Sequence, residues 1–193
     1  MNPLLVKAIV VQSILALFVV PALAHRRDGE AGAPRSHKGR TERIVLGLMA
    51  LGIQPPLVWV ASPWLGFADQ ASRPELFFAG LVTVVAGLWL LYETHAALGT
   101  NWSITLEVHE EHALVTHGVY ARLRHPMYLA LLLYALGLAL MVPNWVAGPS
   151  YLVAVVLLVC LRLGPEERMM REEFGAAYEA YVERTKRLLP GIW

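Results

Sequence analysis

The sequence predicts an all-α, polytopic membrane protein with about five transmembrane helices. Three observations carry that reading. Hydrophobic residues make up 56% of the 193-residue chain, and mean hydropathy is +0.50. Charged residues are only 16%, against roughly 25% in a typical soluble domain. Several apolar runs approach the ~20 residues that cross a bilayer as a helix.

The first span is expected at residues 8–24, the second at 44–64 and the third at 75–98. Residues 126–142 and 145–163 supply the fourth and fifth, joined through Pro143-Asn144 into an antiparallel helical hairpin. Residues 1–98 then form an N-terminal three-span region. Residues 99–193 form a core of loop, hairpin and C-terminal helix, integrated with it into one domain. Residues 1–24 also fit a signal peptide, with Lys7, an apolar run and Ala22-Leu23-Ala24. The basic segment that follows favours retention, so they are read as a span.

Pro55-Pro56 should kink the second span. Residues 25–43, rich in Gly, Pro and charge, read as a flexible loop. Residues 62–74 form the next loop, with Trp64 and Phe67 at interface depth. Gly99 is a plausible stop for the third helix. Pro165 suits the first turn of a new helix, with Glu166 and Glu167 at its positive end. That helix is amphipathic through Met170, Phe174, Tyr178 and Tyr181 and is interrupted at Gly175. It is either a helix on the membrane surface or a lid over a pocket.

Charge gives the orientation. Arg26, Arg27, Arg35, Lys38, Arg40 and Arg43 follow the first span, and Arg122 and Arg124 follow the third. Arg162, Arg168, Arg171, Arg184, Lys186 and Arg187 end the chain, leaving only Lys7 and Arg73 on the other side. The positive-inside rule places the N-terminus outside and the C-terminus in the cytosol. The basic residues track topology rather than a nucleic-acid surface. The single Cys160 permits no internal disulfide. His109, His112 and His117 lack a metal-site signature, so no metal is expected.

Two polar clusters flank the hairpin and so meet at one membrane face. Ionisable residues at such depths mark sites by default. The first is the block from Gly118 to Tyr128, with Tyr120, Arg124, His125 and Tyr128 where the loop enters the bilayer. Pro126 starts the helix, so its first amides point outward and favour an anion. The second cluster is Arg162 with Glu166-Glu167. Glu166 offers an acceptor for an amine or a ribose hydroxyl. An anion-binding end, an acidic acceptor and several aromatics suit a zwitterionic nucleotide-like ligand, and S-adenosyl-L-methionine has those features. Arg162 reads either as a snorkelling interfacial arginine or as a holder for a substrate carboxylate.

These residues resemble the isoprenylcysteine carboxyl methyltransferases and related integral-membrane methyltransferases. The matching block runs from His112 to Tyr120, through Arg124-His125-Pro126-Met127-Tyr128, Asn144, Arg162, Glu166-Glu167, Phe174-Gly175 and Tyr178 to Pro190. It covers roughly residues 99–190; the N-terminal half matches only in hydropathy. Where the family carries acidic residues before Glu166, this chain has Gly164-Pro165.

The resemblance implies S-adenosyl-L-methionine as methyl donor, leaving as S-adenosyl-L-homocysteine. Its contacts transfer to His112, Ala113, Leu114, Val115, Tyr120, His125, Pro126, Met127, Tyr128 and Glu166, with Thr105 or Glu107 as a further upstream contact. Arg162 takes the substrate-positioning, catalytic role. Transfer would be direct and in line, since an ionised carboxylate needs no general base. The acceptor would be lipid-associated, best the C-terminal carboxylate of a prenylated cysteine or similar, with membrane lipids as the other partner. The alternatives are a lipid amine or thiol as acceptor, an NADPH-dependent sterol-type reductase, and a non-catalytic membrane scaffold.

Overall fold

The computed structural model describes residues 1–25, 40–99 and 114–189. Of the expected loop at 25–43, residues 26–39 lie outside the described residues, as do the three clustered histidines apart from His117, while residues 40–43 are already helical, in the second helix. Five helices account for most of the rest: α1 (Pro3–His25), α2 (Arg40–Ala61), α3 (Pro74–Leu98), α4 (Pro126–Met141) and α5 (Ala147–Arg184). Short 3-10 turns sit at Gly66–Ala68 and Gly118–Ala121. No strand forms among the described residues; the only pairings there are isolated bridges, Asp69 with Asn144 and Leu123 with Lys186.

Among the described residues, four helices are long and apolar enough to cross a membrane. α4 is shorter, at 16 residues, or about 24 Å at 1.5 Å per residue. Its ends are extended by ordered chain, with His125 buried at one end and Val142 at the other.

α3 and α4 pack antiparallel with backbones in contact. A Cβ on Gly80 would lie 2.6 Å from the Gly137 carbonyl oxygen, and one on Gly87 would lie 2.6 Å from Tyr134 N. Lipid tails are as apolar as the helices, so close backbone approach at small residues replaces hydrophobic contrast as the basis of association. α2 meets α5 in the same way: a Cβ on Gly52 would lie 2.4 Å from Ala154 Cβ.

The α2 helix runs through Pro55-Pro56 without a break. Pro56 has no N–H to give the Gly52 carbonyl. Ser150 Oγ of α5 lies 3.0 Å from that oxygen and 2.8 Å from the Ala147 carbonyl, so its one hydroxyl proton is shared between the two. The proline-freed acceptor thus becomes an interhelical bond, as membrane burial of backbone requires. Ser150→Ala should lower stability by about 1 kcal/mol, read as a fall in melting temperature. An unchanged melt would show that the carbonyl finds another donor.

One face of the bundle is tied by Asn144. Its Nδ2 donates to Asp69 Oδ1 at 2.8 Å and to the Leu65 carbonyl at 2.7 Å. Its Oδ1 accepts from Ala147 N at 2.8 Å and Val146 N at 3.1 Å, which caps α5. Trp59 Nε1 donates to the same Asp69 oxygen at 2.7 Å. Lys7 Nζ lies 5.2 Å from the Trp59 ring centroid, which brings the start of α1 to the same face. Trp64 and Phe67 are 80% and 78% exposed here, as interfacial aromatics are.

α5 departs from expectation. No helix begins at Pro165; the helix that starts at Ala147 runs through Pro165 as far as Gly175, where a kink separates it from a second helical stretch that ends at Arg184. The apolar part of α5 ends near Leu163 and the remainder projects beyond it. The one non-helical residue inside is Gly175, at φ 48° and ψ −124°, a region that only glycine enters without strain. The interruption expected there is present, and it turns the last helical residues back toward the Gly118–Ala121 turn.

Candidate functional site

The start of α4 and the projecting part of α5 meet at the face opposite the Asn144 knot. Pro126 occupies the first turn of α4 and His125 precedes it. Tyr128 hydroxyl donates to Glu166 Oε2 through a short contact. His125 stacks on Tyr128, with centroids 5.5 Å apart and planes 19° from parallel. Its Nδ1 lies 3.8 Å from Glu166 Oε1. The Glu166 side chain is 28% exposed, so it faces both the protein and the space outside. Burial, and then the Glu166 charge, push the Tyr120 hydroxyl up from its ordinary value, keeping it a neutral donor.

Tyr120, His125, Tyr128 and Glu166 are therefore brought together from the Gly118–Ala121 turn, the start of α4 and α5, with Tyr128 and Glu166 38 residues apart. Pro126 is buried at the helix start, and Met127 packs against the apolar core. Leu114 and Val115 are half-buried in the segment before the turn. His112, Ala113, Thr105 and Glu107 lie outside the described residues. Arg162 is half-buried on α5. Because the helix does not restart at Pro165, Arg162 and Glu166 are i and i+4 on one face, a turn apart.

The sequence reading includes Glu167 in the second cluster but gives it no role, and in the structure it is the centre. Its side chain is 2% exposed and collects three cations. Arg187 grips it with two bonds, Nε to Oε1 at 3.0 Å and a terminal nitrogen to Oε2 at 2.7 Å. Arg124 Nε donates to Oε1 at 3.2 Å, and Arg171 approaches Oε2 at 3.8 Å. The sequence presents Arg187 only as a topology signal. Its partner is 20 residues away and that of Arg124 is 43 away, so no local spacing announces either pair.

The chain after Gly175 closes over this centre. Tyr181 hydroxyl donates to the Tyr120 and Leu123 carbonyls at 2.7 and 3.2 Å. Arg124 donates to the Val182 and Thr185 carbonyls. Backbone bonds run from Arg124 N to Lys186 O at 2.8 Å and from His125 N to Arg187 O at 3.0 Å. Tyr178 and Tyr181 are buried. The end of α5 is thus a roof on the Gly118–His125 loop.

Burial pushes the Glu167 carboxyl up, but the neighbouring His125 ring and the bonded Arg187 guanidinium outweigh it and hold it down at about 2. A carboxyl depressed from 4.5 adds stability above its unfolded value and loses it as pH falls through the folded one. Acid between about pH 4.5 and 2 should therefore lower the wild-type melting temperature. That sensitivity should be reduced in Glu167→Gln. Parallel acid melts of the two proteins would discount this if their slopes agree.

The fold and the cluster define an all-helical integral-membrane protein with an acidic, aromatic-lined site at one end of its α4–α5 hairpin. Residues 76–177 match the family model described as phospholipid methyltransferase, which covers more than half of the chain. The chain belongs to that family. The matches include the protein-S-isoprenylcysteine O-methyltransferase of Homo sapiens, 33% identical over 140 residues, 68% of this chain and 49% of that protein. A probable protein-S-isoprenylcysteine O-methyltransferase of Oryza sativa subsp. japonica is 30% identical over 117 residues, 60% of this chain and 61% of that protein. The chain thus spans about half to three-fifths of these relatives. The solved structure of a eukaryotic intramembrane Ras methyltransferase shares the fold, with a TM-score of 0.58 at 23% identity. That match covers 91% of this chain and 61% of the other.

Proposed function

We propose that this protein is an S-adenosyl-L-methionine-dependent membrane methyltransferase acting on a lipid-associated acceptor. The best candidate acceptor is the C-terminal carboxylate of a prenylated cysteine. One observation carries the reading: His125, Tyr128 and Glu166 converge beside the start of α4, with Arg162 one turn along α5 toward the apolar segment. The family and the relatives' names support it. The charge asymmetry of the helix ends supports a cytosolic site and C-terminus, with the N-terminus outside.

The residues present fit the cofactor's chemistry. Glu166 is a partly exposed carboxylate acceptor. The first-turn amides of α4 lack intrahelical partners and favour a carboxylate. Tyr120, Tyr128 and the His125 ring offer aromatic surface to a cation. When bound, the cofactor supplies a methyl group on a positively charged sulfur. Tyr128 orients Glu166, and the roof formed by Tyr178 and Tyr181 excludes water from the loop beneath. Arg162 holds the acceptor carboxylate at the apolar boundary. No proton need move there, since an ionised carboxylate is already nucleophilic, and catalysis comes from holding both reactants together and desolvated.

Calorimetric titration of detergent-purified protein with S-adenosylhomocysteine, alongside NADPH, tests the class. Saturable binding of the first alone is expected; binding of NADPH alone would replace this reading with a reductase. Arg162→Ala should keep S-adenosylhomocysteine affinity and lose turnover of a prenylcysteine analogue. Equal loss of both would overturn the division of roles.

A further inference from the structure

The sequence pairs Glu166 with Glu167, but the structure gives them opposite surroundings. Glu166 faces the open side and takes one neutral donor, Tyr128. Glu167 is sealed in and held by guanidinium groups. His125 lies between them. Its Nδ1 is 3.8 Å from Glu166 Oε1 and its Nε2 is 3.5 Å from Glu167 Oε1. The Nε2 atom is fully buried and makes no hydrogen bond of ordinary geometry among the described residues, the Glu167 oxygen standing at the outer limit of one.

A neutral imidazole carries its proton on one nitrogen and a lone pair on the other. A carboxylate bound by two arginines is ionised and only accepts. A bare Nε2 lone pair against it would place two acceptors face to face in a buried site, which is costly. We propose that Glu167 is a positioning residue: it holds the His125 proton on Nε2, so that the Nδ1 lone pair and Glu166 Oε1 form an acceptor pair for a hydroxyl or ammonium donor of the ligand. The ligand's identity rests on the function proposed above; the tautomer does not. Arg124 and Arg187 keep the Glu167 carboxylate oriented, much as outer partners orient a ligating histidine.

Histidine-selective nitrogen-15 NMR at mildly alkaline pH reads the tautomer, with the His125 signal assigned from a His125→Gln sample. Wild type should show a single neutral form protonated on Nε2. In Glu167→Gln, whose amide can donate, the Nδ1-protonated form should appear and S-adenosylhomocysteine affinity should fall roughly tenfold. Glu167→Asp keeps a carboxylate and should retain the wild-type tautomer even if it melts lower. Arg187→Gln should melt lower but keep the tautomer too, which separates positioning from simple strapping.

A doubly protonated or Nδ1-protonated ring in wild type would overturn the proposal. So would an unchanged tautomer or affinity in Glu167→Gln, or a switched tautomer in Arg187→Gln. If the tautomer responds as expected but wild type binds no S-adenosylhomocysteine, the positioning role stands and the methyltransferase reading falls.

Discussion

Glu166→Gln should weaken S-adenosylhomocysteine binding by roughly 10- to 100-fold while leaving the fold intact. The carboxylate is only partly buried and its one hydrogen bond among the described residues is from Tyr128 hydroxyl. The amide oxygen can still accept from Tyr128, so the local structure has a replacement. What is lost is the charge-assisted acceptance from a ligand hydroxyl or ammonium, about 1.5–3 kcal/mol per such bond. Each 1.4 kcal/mol is a factor of ten in affinity. Calorimetry gives the affinity and a thermal melt without ligand checks the fold. Wild-type affinity in this variant would remove Glu166 from the cofactor site.

Gly137→Val should be among the most destabilising single changes in the membrane region, by about 3 kcal/mol. A Cβ there would lie 2.6 Å from Gly80 O and 2.7 Å from both Val84 N and Val84 Cγ2. Two of those three atoms are backbone, so no rotamer relieves the clash and α3 must separate from α4. Loss of α4 placement would also displace Tyr128, so ligand binding should fall with stability. Gly47→Ala is the control, because a Cβ there meets nothing within 4 Å. Purification and thermal melting of both variants decide the point. A Gly137→Val protein that melts like wild type would mean that the helices do not approach as described.

The polar ends of the bundle were legible because polarity at membrane depth is itself a signal. Tyr120, His125, Tyr128 and Glu166 were named from that logic alone, and the structure gathers all four. Pro126 at the first turn of α4 and Gly99 at the end of α3, at φ 51°, followed equally from local rules. Pro165 shows where local rules fail. The proline looked like a new start, yet α5 continues through it, and that continuity sets Arg162 above Glu166. Local rules put Arg124 in the polar loop block and read Arg187 as a topology charge, and neither reading shows that both pair with Glu167.

By itself the sequence determined the membrane class, the approximate helices, the asymmetry of charge and which residue types stand at the site. Those properties are local: apolar run length, turn chemistry and the side on which Lys and Arg fall. Only the tertiary structure decided which glycine faces which helix, which serine caps the carbonyl freed by Pro56, and which glutamate faces ligand and which is walled in. Ser150 and Gly52 are 98 residues apart, and Asn144 and Asp69 are 75 apart. In lipid the outside of a helix is as apolar as its packed side, so the usual amphipathic stripe is missing. Partner choice then rests on small residues and a few buried polar pairs, which no periodicity in the chain records.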